Sequence, residues 1–273
     1  YDTDVLVIGG GLAGISAAVE AARSGVRVTI VVTNKIFSGS SFSPYTWGLG
    51  IISPYDELDK KDLLDSIYDV GCGLVDRELS FTLVDNIEQR IRDLEYLGIK
   101  FKAPQNIIGD ETLVPCFDRK HRKWFGFTFD HSKQIFFENM KELNINILEH
   151  QKIVKLFTNK ELFTGALGIN ENNQLTFFKA SSVVIATGGF GGLFKHNLNT
   201  EDIDGEGLIL ALSTGCELIN LEFLQFIPGY LKPKYKTIFS ETAFKYATLE
   251  DQNGNSILKK YFPECVNERE ILN

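Results

Sequence analysis

Val5-Leu6-Val7-Ile8-Gly9-Gly10-Gly11-Leu12-Ala13-Gly14 decides how this chain folds. Val5 to Ile8 is an apolar run with the length of a short buried strand. Gly9-x-Gly11-x-x-Gly14 follows, and then ISAAVEAARSG, which has the composition of a helix. A glycine triplet between a strand and a helix is the context that the dinucleotide-binding fingerprint requires. Gly9 permits the tight turn. Gly11 leaves no Cβ between the backbone and a pyrophosphate, and Gly14 lets the helix lie close on the strand. The free amides and positive dipole end of that helix then face the phosphates. A second strand, RVTIVV (27–32), completes the unit.

At 273 residues, with 44% hydrophobic and 23% charged residues, the chain has ample material for a core and suits one large or two modest domains. A net charge of −8 with no long basic run gives nucleic acid or an anionic membrane no electrostatic footing. Cys72, Cys116, Cys216 and Cys265 lie far apart and form no metal-ligand spacing, so they read as free thiols in a reducing, cytoplasmic setting. No apolar run is long enough to span a bilayer. The apolar strand runs straight into the glycine turn, so no signal peptide is expected. The first residue is Tyr1 and the sole methionine is Met140, which reads as a trimmed or partial chain.

The second strand ends at Thr33-Asn34-Lys35, without the Asp or Glu that binds ribose in many NAD sites. The stretch Phe37–Ile52, FSGSSFSPYTWGLGII, is either a flexible loop or a lining of hydroxyls and amides for phosphate and ring atoms. Gly48 and Gly50 beside Trp47 suggest the close approach of something flat. Helices are expected over Asp59–Tyr68 and Asp76–Leu97. The second has an apolar stripe at Leu83, Val84, Ile87, Ile91, Leu94 and Leu97, and Gly98 serves as its cap.

Residues 99–129 read as irregular. Their basic cluster Arg119–Lys123 is a solvated loop, or alternatively a clamp for an anionic substrate. A helix over His131–Leu143, the strand Ile145–Glu149 and a three-strand antiparallel meander should follow. Then VVIATGGFGGLF (183–194) repeats the motif of a buried strand ending in glycines, which would place Ala186, Thr187, Gly188 and Gly189 against the same nucleotide. A last helix starts near Gly205.

Two glycine turns separated by a meander resemble the glutathione-reductase-like flavoproteins. Five segments in order are similar to the flavoprotein family of succinate dehydrogenase, fumarate reductase and L-aspartate oxidase. They are GGGLAGISAA (9–18), RDLEYLGIKF (92–101), SSVVIATGGFGGLF (181–194), DGEGLILALSTGCELINLEFLQFIPG (204–229) and FSETAFKYATLEDQNG (239–254). The resemblance implies an α/β, FAD-binding Rossmann fold with a β-meander insertion over residues 1–232. It implies the beginning of an α+β capping domain over 233–273, with later segments of both domains outside this sequence.

It also implies FAD, with hydride exchange at the flavin N5 beside a small-molecule substrate. By position, Gly9, Gly11 and Gly14 would cradle the pyrophosphate. Thr33 and Lys35 fall where the family has Ser-Lys near the adenosine ribose. Ser40 and Ser41 match its flavin-contacting loop, Val154 and Ala186–Gly188 would line the adenine side, and Glu206 takes the Asp place in its TGDG segment. Members with covalent FAD use a His in the Ser/Thr loop. No His lies between Phe37 and Ile52, which implies non-covalent FAD. The family's QFHP is here Gln225-Phe226-Ile227-Pro228, and its RGEG falls on Phe244-Lys245-Tyr246-Ala247. Ile227 thus replaces the carboxylate-binding His, and Lys245 is the remaining candidate for a catalytic cation. An oxidoreductase with an altered substrate site is implied. The alternative is a flavin-binding subunit that serves an electron-transfer partner and has no dicarboxylate chemistry of its own.

Overall fold

The computed structural model describes residues 1–43, 50–102, 113–115, 118, 120–226, 229–238 and 247–265. Its centre is a four-stranded parallel sheet of β1 (Val5–Ile8), β2 (Val28–Val31), β6 (Asn146–Leu148) and β10 (Ser182–Ile185), in the order β10-β1-β2-β6. Leu6, Val7, Ile8 and all of β2 are buried. Burial on both faces is why these strands read as unbroken apolar runs rather than alternating ones.

The alternation is nonetheless present in three dimensions. Val7 and Ile30 face α1 (Leu12–Arg23) and α4 (Phe129–Glu142), packing with Ile15, Ala18, Val19, Phe136 and Met140. Leu6, Ile8 and Val31 face the other way. They meet the meander β7 (Gln151–Asn159), β8 (Leu162–Asn170) and β9 (Leu175–Lys179), together with α5 (Glu206–Ser213). Each fully buried aliphatic side chain in these layers is worth about 1.5–3 kcal/mol.

α2 (Glu57–Val70) and α3 (Arg77–Tyr96) form a hairpin capped by Asp56 and Asp76, whose carboxylates accept from Asp59 N and Leu79 N, both at 2.9 Å. Gly98, at φ +104°, ends α3 as the sequence suggests. Val84 and Ile91 of the expected stripe are buried, but Leu83 is exposed.

Residues 99–129 depart from the irregular reading. β4 (Leu113–Pro115) and β5 (His121–Gly126) join β3 (Gly50–Ser53) in an antiparallel sheet of order β3-β5-β4. Within the basic cluster Lys120 is exposed ahead of β5, as a solvated residue would be, whereas His121–Lys123 belong to the strand. Arg122 is wholly buried and pairs with Asp59, with Asp62 at 3.0 Å and with Asp118 at 2.6 Å. Burial lowers its pKa from the ordinary arginine value. An inward arginine broke the period-two pattern that would have marked β5 as a strand.

A small hairpin of β11 (Gly229–Tyr230) and β12 (Thr237–Ile238) and a short α6 (Ile257–Tyr261) complete the described chain. The boundary expected at residue 232 falls in the turn of that hairpin. No helix among the described residues is long and apolar enough to cross a membrane.

Candidate functional site

β1 and β2 leave the sheet together at their carboxyl ends, and β10 ends beside them. Open α/β sheets bind ligands in this place. Gly9 takes φ +115°, and a Cβ built on it would stand 2.2 Å from the Ala186 carbonyl oxygen. Ala186 N donates to Ile8 O at 2.8 Å, and Gly9 N to Val31 O at 2.9 Å. The two glycine turns are thus one piece of structure, locked by main-chain bonds. A Cβ on Gly14 would stand 2.1 Å from Gly9 O, so this glycine seats the helix against the turn. Gly11 differs, since its nearest contact would be Ser41 Oγ at 3.4 Å, ordinary van der Waals distance. Its missing side chain leaves space to the cleft.

The loop after β2 closes the opposite wall. Phe37 N donates to Gly10 O at 3.1 Å, and Leu12 N to Ser41 Oγ at 3.3 Å. Phe42 anchors the turn, stacked edge-on against Phe37 and Phe136 at 5.0 and 6.4 Å. The resulting cleft is lined by Gly9–Gly11, Thr33, Ser40, Ser41, Gln151 and Ala186–Gly188, among others. The first turn of α1 carries no acidic residue, and Gly11 offers no side-chain cap, so apart from Leu12 N, which Ser41 Oγ holds, its amides and dipole can face an anion.

A bound dinucleotide fits these residues on a further count. Ser40 Oγ and Gln151 Oε1 are both sealed from solvent and have no hydrogen-bond partner among the described residues, and both residues line the cleft. Buried polar atoms are rarely left so, because each costs about 1–3 kcal/mol. A polar ligand in the cleft would supply a partner for Ser40, whereas Gln151 Oε1 lies against Gly168 of β8.

The other expected site residues divide. Lys35 is exposed beside Thr33 and outside the cleft lining. Val154 is half-exposed at a bulge of β7, also outside it. Glu206 opens α5 in an ion pair with Lys152. Gly50 meets a flat partner in Trp124. A Cβ on Gly50 would come 2.1 Å from the indole nitrogen, and one on Gly126 would come 2.3 Å from the same ring. The flat object expected there is accounted for at Gly50 by a side chain of the protein. Gly48, Ile227 and Lys245 lie outside the described residues.

The sequence reading missed Gln151, Ser38 and Asp202. Asp202 also lines the cleft, its carboxylate accepting from Ser38 Oγ at 2.9 Å and Thr200 Oγ1 at 2.6 Å. Gln151 has no motif around it. Only the pairing of β2 with β6, and the bond from Gln151 N to Val32 O at 3.0 Å, bring it to the cleft. No group of three or more metal-ligating side chains occurs among the described residues.

Comparison with known proteins agrees with this geometry. An L-aspartate oxidase of Yersinia pestis is 29% identical over 244 residues, covering 84% of this chain and 45% of that protein. One of Saccharolobus solfataricus is 31% identical, covering 82% and 45%. A CoM/CoB fumarate reductase polypeptide of Methanothermobacter marburgensis is 29% identical, covering 86% and 44%. The chain therefore spans less than half the length of these relatives. A flavocytochrome c3 fumarate reductase superposes with a TM-score of 0.77 over 93% of this chain and 48% of its own, and E. coli quinol fumarate reductase with 0.74 over 93% and 44%. Both are 20% identical, so they speak for the fold alone. The family model described as FAD binding domain matches residues 4–255. The chain belongs to that FAD-binding family.

Proposed function

We propose that this chain is the FAD-binding part of a flavin-dependent oxidoreductase related to the fumarate reductases and L-aspartate oxidases, and that it holds FAD non-covalently. The observation that carries the reading is the shared cleft. Two glycine turns, an uncapped helix start and an unpaired Ser40 hydroxyl meet there. When bound, FAD supplies hydride exchange at its N5.

The chain's own residues bind and orient. The amides of Gly11 and the first turn of α1 hold the pyrophosphate, with no Cβ at Gly11 to oppose it. Thr33, with Lys35 near it, takes the adenosine side. Ser40 and Ser41 reach toward the flavin side, together with Gly48. Val154 and Glu206 support the site from β7 and α5 in this reading rather than touch the ligand. Residues 1–232 act as the FAD domain and 233–273 begin a cap, and Ile227 near the end of the first and Lys245 in the second bear on the substrate. The substrate is a small molecule with an apolar group against Ile227. The same two substitutions favour, as a second reading, a subunit that passes electrons to a partner and does no dicarboxylate chemistry.

Purification followed by absorbance spectroscopy tests the cofactor. The protein should retain FAD in preference to NAD. Acid precipitation should release all of the flavin, because no His lies between Phe37 and Ile52. A colourless protein that FAD does not saturate would overturn the assignment, and colour left in the acid pellet would overturn the non-covalent attachment.

A further inference from the structure

We infer that Ser38 and Asp202 form a latch across the nucleotide cleft, whose opening sets how fast FAD enters and leaves. The inference rests on the FAD reading and adds two residues that neither glycine motif contains. Ser38 Oγ donates to Asp202 Oδ2 at 2.9 Å, joining the loop after β2 to the loop after β10. Thr200 Oγ1 donates to the other carboxylate oxygen at 2.6 Å, so the acceptor is held facing Ser38.

The pair is a partition. Both residues line the cleft, and both also line a neighbouring depression of about 770 Å³ that reaches Asn34, Lys195 and Tyr235. The cleft itself holds about 150 Å³. Pockets that enclose small ligands run to about 300–1,000 Å³, so seating a dinucleotide calls for a wall to move. On each side of the pair the chain is fixed by main-chain bonds, Phe37 N to Gly10 O at 3.1 Å and Gly192 N to Ile203 O at 2.7 Å. The side-chain bond between them is the joint that can part and leave those main-chain bonds intact.

The Ser38 side is built to move. Phe37, its neighbour, stands at φ +67°, a left-handed conformation that a bulky residue rarely adopts. Strain of this kind gathers where a segment switches between two states. With the latch open, the turn can relax and the cleft communicates with the depression.

The test is stopped-flow FAD fluorescence on the protein that carries this chain, stripped of flavin and recombined, which gives the entry and release rates. Ser38→Ala should raise both rates about tenfold, the low end for a hydrogen bond to a charged group. Their ratio, the Kd, should move less than about threefold, because a latch bars both directions alike. Asp202→Ala should do the same, and the double variant should be no faster than either. Ser38→Thr, which keeps the donor, should match the parent. Faster release with unchanged entry would mark a ligand contact and overturn the latch. Unchanged rates, or effects that multiply in the double variant, overturn it as well, and each of these results leaves the FAD reading standing. Failure of the native protein to bind FAD overturns both.

Discussion

The Gly9 carbonyl oxygen stands 2.1 Å from where a Cβ on Gly14 would lie. No side chain larger than hydrogen fits between the turn and the helix it feeds, and the obstacle is backbone that cannot rotate away. Gly14→Ala should therefore push α1 off β1, opening the contacts of Ile15 and Ala18 with the sheet. A loss of about 3 kcal/mol is expected, at the upper end for overpacked cores, together with reduced flavin content. Urea unfolding of the two proteins checks it. An unchanged midpoint would show that the helix does not sit as described.

Gly11 should behave in the opposite way. The space beside it contains only Ser41 Oγ, at 3.4 Å, and its φ of −81° suits any residue. Gly11→Val should fold with a stability within about 1 kcal/mol of the parent, that margin reflecting the poorer helix cap. It should lose its flavin, because the branched side chain enters the pyrophosphate's place. Melting temperature and the visible flavin absorbance are the readouts. A variant as yellow as the parent would remove Gly11 from the cradle.

These two glycines show how much was legible in the sequence. The motif put both at the turn, with separate roles; both glycine turns were legible as apolar runs ending in glycine and the meander as three short β-runs, while the fold as a whole came from the family resemblance. What stayed hidden depended on contacts across the fold. β5 escaped because Arg122 occupies an inward position, and an inward charge is legible only when Asp59, Asp62 and Asp118 are known to surround it. Gly50 suggested a flat ligand when its flat neighbour is Trp124, far along the chain. Gln151 reached the cleft only through strand pairing.

Arg122 joins three acidic residues from two separate segments, and it is wholly buried. Removing it leaves Asp59 and Asp118 without their cation, while Lys120 still holds Asp62 at 2.6 Å. Arg122→Met should cost about 3 kcal/mol, as expected for breaking a buried ion pair from one side. Asp118→Asn, which keeps an acceptor oxygen 2.6 Å from the guanidinium, should cost clearly less. Denaturant titrations rank the two. Equal small effects would mean that the cluster adds nothing to the packing of β5 on α2.

Arg27 bridges Asp2 and Asp4 at the start of β1, and its hydrogen bond holds the Asp4 carboxyl below its ordinary pKa of 3.8. A folded-state pKa below the unfolded one gives stability that is present above the unfolded value and is lost as pH falls through the folded value. The pair is exposed, so the effect is small and is screened by salt. Asp4→Asn should melt a few degrees at most below the parent at pH 7 in low salt. The gap should close as the pH falls below the ordinary carboxylate range. A gap that widened toward acid would contradict the sign of the shift.

The substrate prediction turns on two positions that lie outside the described residues, Ile227 and Lys245. Hydride transfer to an unsaturated dicarboxylate needs groups that polarise the carboxylates and an acid that delivers the balancing proton. Isoleucine can donate no hydrogen bond. A lysine is a single flexible point charge and lacks the bidentate fork of arginine. The protein that carries this chain should therefore be inert toward succinate, fumarate and L-aspartate. Stopped-flow spectroscopy on it should show no flavin reduction by succinate or L-aspartate, and no reoxidation by fumarate after chemical reduction. Ile227→His combined with Lys245→Arg should raise reactivity with a dicarboxylate above that of the parent, since the pair restores one donor and one planar cation. Turnover of any of the three by the unaltered protein at an ordinary enzymatic rate, on the order of ten per second, would mean that other residues supply those charges and that the substitutions leave the dicarboxylate chemistry intact.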